Sequence, residues 1–393
     1  MKKRIMSMLL CGAMLATSLV GCGETATTTT TGGDGGSTGT TTVADGGAAP
    51  AADGAVQVGI VLPTKDEPRW LQDQKQFETI LGDQGFSSKV LFSQGSSANE
   101  KTNVETLIQD GINVLIICAQ DATAAAAAVE EAKAAGVTVI CYDRLITDTD
   151  AVDYYVTFDS VAVGEAQGQY IVDNKPDGTG IPLYLYAGAA TDNNAFLFFE
   201  GAWNVLEPYV EDGTFVIANS TEAEALVGTT DLTYEQKATI IGQITTNWDF
   251  NVAKSLAEAN LVAADAAMKG DVCILAPNDG TARAIADTFA SESGISSYII
   301  TGQDAELASI NYIQNGVQSM TVFKNTSILA ADSCTMAAAI INGSTPATDT
   351  KYDNGSIEVP AKQTNVTVVT ADNYTAELVD TGYYTQADID SAE

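Results

Sequence analysis

The chain first becomes apolar enough to be buried over residues 56–66, VQVGIVLPTKD, where Val56, Val58 and Ile60 alternate with Gln57 and Gly59. The run continues through Val61 and Leu62, breaks at Pro63 and passes into a polar loop. Three later apolar runs finish the same way: VLIICAQD at Asp121, VTVICYDR at Arg144 and VCILAPND at Asp279. Strands that end in polar, turn-rich loops present those loops at the carboxyl edge of an open α/β sheet, where such sheets bind ligands. The repeated pattern predicts a cleft.

Between the runs the spacing turns helical. Helices are predicted over 70–81, 99–110 and 123–135, ended by Gly82 and Gly85, Gly111 and Gly136. A short strand falls at 89–92, and the strands at 114–119 and 137–142 are continuously apolar, as parallel strands covered on both faces should be. A second cycle starts near Tyr154, with a strand at 155–158 and a helix at 160–172 that carries Ala162, Gly164, Ala166 and Gly168. Strands at 181–187, 215–218, 272–276, 298–301 and 319–323 then alternate with helices at 195–206, 237–245, 252–268, 282–291, 306–315 and 328–341. A last strand at 366–369 returns to a sheet edge near the crossings. The class is α/β: two Rossmann-like lobes, each a parallel sheet flanked by helices with right-handed crossovers, and a ligand cleft between them. No loop between the lobes has the Gly/Ser composition of a flexible hinge.

The front of the chain does not belong to this pattern. Residues 1–21 read as a secretory signal: Lys2, Lys3 and Arg4, an apolar run too short to span a membrane comfortably, then small residues. LVGC ending at Cys22 resembles a lipoprotein processing box, which makes Cys22 the expected lipid attachment point. Residues 22–55 are Thr, Gly, Ala and Asp with no large hydrophobe, the composition of a disordered tether.

Charge narrows the partners. With 18 Lys plus Arg against 51 Asp plus Glu, the formal net charge is -33. Such a surface repels nucleic acid and anionic lipid, so membrane association is expected only through the anchor. The chain has no histidine and no C-x-x-C spacing. Cys118, Cys141, Cys273 and Cys334 lie in apolar strands or a helix and read as small buried hydrophobes. No metal, no cofactor and no catalytic residue is expected: a P-loop, a G-x-S-x-G elbow and a dinucleotide fingerprint are all missing.

At the strand ends the pattern collects Lys65, Asp66, Arg69, Trp70, Asp121, Asp143, Arg144, Asp192, Asn193, Asn194, Trp248, Asp249, Asn278, Asp279, Gln303, Asp304 and Lys324. Planar polar side chains of this kind satisfy sugar hydroxyls, each of which both donates and accepts. An indole suits the apolar C–H face of a pyranose. Asp143 reads more readily as an internal partner of Arg144 at the first crossing. Asn278 and Asp279 divide between ligand contact and capping of the helix that follows. A glycosidase would need two carboxylates across the scissile bond, and the carboxylates here are too numerous for spacing alone to exclude one.

The quoted strand ends also lie inside longer stretches: PTKDEPRW at Pro63, YDRLI at Tyr142, VDYYVTFDS at Val152, TDNNAFLFFEGA at Thr191, TGQDAE at Thr301, TVFKNT at Thr321 and KYDNG at Lys351. In that order they resemble the solute-binding proteins and lipoproteins of monosaccharide ABC transporters, on the D-xylose-binding and multiple-monosaccharide-binding branch of the type I periplasmic-binding-protein-like family. The resemblance implies two lobes joined by three crossings, the first at 55–146 and 325–358, the second at 147–324 and 359–393. It implies a non-enzymatic, monomeric receptor, held on the extracellular face of a Gram-positive membrane. That receptor delivers a monosaccharide, D-xylose first and glucose or other aldoses next, to an ABC permease. A sugar sensor for a chemoreceptor or sensor kinase, and a receptor for a non-aldose small molecule, are the competing functions. The resemblance implies Arg69, Trp70, Asp121, Arg144, Asn194, Trp248 or Asp249, Asn278, Asp304 and Lys324, with Gln303 beside Asp304 facing the other way and Trp70 and Trp248 sandwiching the sugar. With the strand-end residues Lys65, Asn193 and Asp279 added, the expected ligand set is Lys65, Arg69, Trp70, Asp121, Arg144, Asn193, Asn194, Trp248, Asp249, Asn278, Asp279, Gln303, Asp304 and Lys324. The calcium loop of the glucose/galactose-binding relatives is missing from this sequence.

Overall fold

The structure is a computed structural model and describes residues 56–392; the signal, Cys22 and the whole of the tether lie outside them. The chain opens with β1 (Val58–Leu62), α1 (Pro68–Asp83), β2 (Ser88–Phe92), α2 (Ser97–Gln109), β3 (Val114–Ile117), α3 (Ala126–Ala134), β4 (Thr138–Tyr142) and β5 (Tyr154–Phe158). It continues with α4 (Ser160–Asn174), β6 (Ile181–Leu185), α5 (Asn193–Glu211), β7 (Phe215–Ile217), α6 (Thr221–Glu224), α7 (Tyr234–Ile244) and α8 (Phe250–Ala263). Then come β8 (Gly270–Leu275), α9 (Asp279–Ala290), β9 (Ile295–Ile300), α10 (Leu307–Gln314), β10 (Thr321–Phe323) and α11 (Thr326–Ile341). β11 (Thr350–Asp353), β12 (Glu358–Thr364), β13 (Thr367–Val369) and α12 (Gln386–Ser391) finish it.

Two sheets organise these elements. The first has seven strands in the order β11-β12-β5-β4-β3-β1-β2, and the second has four in the order β7-β6-β8-β9. The pair β10-β13 extends the second through a bridge between Gln303 and Val322. Parallel strands with apolar residues on both faces need cover on both sides, and β3 shows how they get it. Leu115 and Ile117 face the core under α2 and α3, while Val114 and Ile116 face the core under α1 and α11. The second sheet repeats this, with α5 and α7 on one face and α8 and α9 on the other. The small residues of α4 also find their reason. A Cβ on Gly164 would sit 1.9 Å from the Phe198 carbonyl oxygen, and one on Gly201 2.1 Å from that of Val161, so α4 and α5 touch backbone to backbone.

The lobe boundaries move from those the sequence suggests. β5, expected to open the second lobe, pairs in parallel with β4 (Ile140 with Tyr154), and β12 pairs in parallel with β5 (Ala361 with Tyr155). Both strands therefore belong to the first lobe. The crossings fall between β5 and α4, between β10 and α11, and between β12 and β13, not at residues 146/147 and 358/359. The cause is tertiary: β5 follows β4 through a loop with no helix, a join that local patterning reads as a break between domains. The first two crossings are alike. Asp159 and Asn325 both adopt φ -72, ψ 90, and each caps the helix that follows, by accepting from the Ala162 and Ile328 amides. KYDNG forms the hairpin between β11 and β12. Its Asn354 is buried and donates to the carbonyls of Ile146 (3.1 Å) and Thr149 (2.8 Å), tying the hairpin to the loop after β4.

Candidate functional site

Three cations reach the region between the lobes. Arg69 comes from the first turn of α1, Arg144 from the loop after β4 and Lys324 from the end of β10; all three are buried. Charges this deep must be paired, and the loops supply carboxylates. Arg69 Nη2 lies 2.5 Å from Asp143 Oδ2, Nη1 lies 3.6 Å from Asp304 Oδ1, and Nε lies 3.6 Å from Asp73 Oδ2. Arg144 Nε meets Asp192 Oδ2 at 2.9 Å, and Lys324 Nζ meets Asp304 Oδ1 at 2.9 Å. The pairs Arg69–Asp304 and Arg144–Asp192 cross from one lobe to the other. Asp143 and Arg144 do not pair with each other as the sequence suggested, because neighbours on this tight turn face different partners. Asp143 serves Arg69, and its backbone carbonyl accepts from Tyr155 Oη (2.7 Å) and Asn194 Nδ2 (2.9 Å).

Electrostatics follow this pairing. Burial alone would raise the Asp143 carboxyl, but Arg69 and Lys324 overcome it and bring it down to about 2. Burial raises Asp192, with Arg144 pulling the other way. Burial opposes the charge on Arg144, yet Asp192 holds the guanidinium firmly protonated. The backbone is strained at the same places. Asp143 (φ 63), Asn247 (φ 54), Trp248 (φ 61) and Asp304 (φ 97) are all non-glycine residues at positive φ. Strain of this kind gathers where the surroundings fix a functional geometry.

The two tryptophans part company. Trp248 is half-buried; its indole N–H donates to Asp192 Oδ2 at 3.1 Å, and its ring meets Phe198 edge-on. Trp70 is 1% exposed in the first lobe's core, and the Arg69 and Arg144 guanidiniums lie 4.4 and 5.4 Å from its ring centroid. The expected sandwich is therefore not formed: the Trp70 face is occupied by the two arginines it orients. A cleft of about 1120 Å³ opens beside Arg144 and Trp248, lined among others by Glu67, Gln120, Asn247 and Asn278, and runs out along α8 and α9.

The remaining expected residues divide. Asn194 joins the network, accepting from Ser160 Oγ and donating to Asp143. Asn278 lines the cleft while capping α9. Lys65 is exposed, 4.8 Å over the Phe92 ring, and lies outside the network. Asp121 accepts from the Thr123 and Ala124 amides, and Asp249 caps α8. Asn193 is the first, partly exposed residue of α5. Asp279 is internal, accepting from Gln318 Nε2 (2.7 Å) and the Glu306 amide (2.8 Å). Gln303 is buried with its side-chain oxygen unpaired, and its carbonyl accepts from the Asp279 amide. Glu67, Asp73 and Glu100 escaped the sequence reading. Asp73, four residues after Arg69, carries the i,i+4 signal that finds it; Glu67 lies between Asp66 and Arg69, both in the strand-end set. Among the described residues no cluster of His, Cys, Asp or Glu is arranged to hold a metal ion, and no helix is long and apolar enough to cross a membrane.

Two three-layer α/β lobes with paired charges across a cleft define a receptor that closes on a small polar ligand. The chain belongs to the periplasmic binding protein domain family, whose profile matches residues 58–345. It is 36% identical over 338 residues to the multiple sugar-binding periplasmic protein SbpA of Azospirillum brasilense, covering 84% of this chain and 90% of that one. It is 30% identical over 338 residues to the D-xylose-binding periplasmic protein of Escherichia coli (strain K12), covering 85% and 92%. Among solved structures, a carbohydrate transporter solute binding protein from Chloroflexus aurantiacus in complex with D-glucose superposes with a TM-score of 0.83 at 63% identity, over 84% of this chain and 97% of that one.

Proposed function

We propose that this chain is the extracytoplasmic monosaccharide-binding component of an ABC sugar importer, anchored through Cys22 and acting as a monomer that delivers its ligand to the permease. The observation that carries the reading is the paired network of Arg69, Asp143, Arg144, Asp192, Asn194, Asp304 and Lys324 beside the Trp248 ring. Each of these groups is already oriented by a partner, so a sugar hydroxyl meets fixed donors and acceptors with little reorganisation on binding. Arg69 and Asp143 or Arg144 on one lobe, and Asp192, Asn194 or Asp304 on the other, give one ring contacts to both lobes. A ligand that bridges the lobes favours their closed arrangement.

D-glucose and D-xylose are the first ligands to try. They share the arrangement of ring hydroxyls and differ by one hydroxymethyl group, a difference worth about 1–3 kcal/mol in a fitted pocket. The similarity to the glucose-bound structure and to the xylose-binding protein supports both. Calorimetry of the purified chain against xylose, glucose, galactose, arabinose and ribose tests the reading. Micromolar or tighter binding of glucose or xylose, lost when Asp304 is changed to alanine, is the expected result. Silence toward all five sugars would overturn the sugar assignment.

A further inference from the structure

Within the charge network, Asp73, Asp143, Asp192 and Asp304 face Arg69, Arg144 and Lys324, so the carboxylates already outnumber the cations. Glu67 adds another acid at the same cleft. It stands at the N-cap position of α1, yet its side chain does not cap the helix; it lines the cleft instead. The groups that face it are Arg144 from the loop after β4, Asp304 from the loop after β9, and Trp70 and Arg69 from α1. Burial pushes its carboxyl up to about 7, with Arg144 pulling it down, Asp304 pushing it up, and the Trp70 indole and Arg69 pulling it down. Within this network every cation already has a carboxylate partner, so none is set aside for Glu67. A sugar that displaces water from the cleft removes the screening that an ionised Glu67 relies on.

We propose that Glu67 is part of the sugar site and enters the closed complex as the neutral acid, donating its proton to a sugar oxygen, so that capture of a neutral monosaccharide takes up one proton. The inference rests on the sugar reading above. Its linkage sign follows from a bound state that holds the proton more tightly than the free one. Affinity is then flat below the free value and falls as pH rises above it, by up to about tenfold per pH unit for one proton. Glu100 is the control. Its buried carboxyl is also pushed up to about 7 by burial, but it sits behind the cleft, accepting from the Gln120 amide at 2.8 Å.

The test is calorimetric titration of the full chain with D-glucose and D-xylose from about pH 6 to about pH 9, in buffers of different ionisation heat, for wild type, Glu67→Gln and Glu100→Gln. We expect proton uptake by the wild type, at least about a fivefold loss of affinity across the upper part of that range, and a flat profile for Glu67→Gln alone. The buffer dependence of the wild-type heat reads the proton directly, whatever the variants do. A wild type that takes up no proton overturns the inference, as does a slope that persists in Glu67→Gln or vanishes in Glu100→Gln. If the wild type binds neither sugar at any pH, the receptor reading has failed first and the inference falls with it.

Discussion

Trp70 and Trp248 follow polar strand-end segments in opposite lobes, and their positions in the chain make them look like a pair. Tertiary packing gives them opposite tasks. Trp70 is sealed in the core of the first lobe, where its ring carries the guanidiniums of Arg69 and Arg144. Trp248 stands half-buried on a left-handed backbone, its indole N–H held by Asp192. One lobe thus presents cations that an aromatic platform aims, and the other presents an aromatic ring that a carboxylate aims. An indole beside a cleft is not by itself a stacking surface; what already occupies its face decides.

That contrast can be broken most sharply by truncating each ring. Trp70→Ala should lower the unfolding free energy by about 3–5 kcal/mol, the usual cost of emptying a buried tryptophan site, read as a urea midpoint. Trp248→Ala should cost much less stability and weaken glucose or xylose binding about tenfold or more, read by calorimetry. The reverse order would sink the comparison. Asp143→Ala should approach the Trp70 effect, at roughly 3–5 kcal/mol, because it takes the nearest carboxylate from a buried guanidinium and leaves Asp73 and Asp304 at 3.6 Å. The same carboxyl, held at about 2, predicts acid sensitivity. Its stabilising contribution is present above the ordinary carboxylate range and drains away as pH falls through that range toward about 2, which acid-unfolding curves of wild type and Asp143→Asn would register.

A smaller change sharpens the role of Trp248 without removing it. A Cβ on Gly188 would lie 1.9 Å from Trp248 Cζ2, so Gly188→Ala must push the ring out of place. Its backbone does not need positive φ, so the expected loss is in sugar affinity, about tenfold, with little change in the urea midpoint. The smallest effect belongs to Asp121. Asp121 accepts from the Thr123 and Ala124 amides in the turn ahead of α3, so its change to alanine should cost about 1 kcal/mol of stability and leave affinity within about twofold. A larger loss of affinity would return Asp121 to the ligand set.

Part of the network between the lobes is legible from residue type and position. Arg69, Arg144, Asn194, Asp304 and Lys324 stand out as polar residues at strand ends and Trp248 as an indole after a polar turn; all six belong to the network, and Arg144 and Trp248 also line the cleft. The expected set also holds Asp121, which accepts from amides of the turn ahead of α3, and Asp249, which caps α8. The chemistry that holds a backbone amide is the chemistry that holds a hydroxyl. Sequence position cannot separate those uses. Asp73 and Glu100 are buried and Glu67 lines the cleft, and nothing local to the sequence marks an acid for either position.

The two-lobed α/β class, the alternation of covered parallel strands with helices and the cleft at their carboxyl ends follow from periodicity alone, because side-chain spacing and burial are local properties of a strand or helix. The assignment of β5 and β12 to the first lobe does not, since β5 pairs with β4 across a helix-free loop that local patterning reads as a break, and β12 pairs with β5 from about two hundred positions away. Nor does the choice of partner for each charge. Arg69 takes Asp143 and Arg144 takes Asp192 because ion pairing is decided by distance across the closed space between loops, and only the folded chain sets that distance.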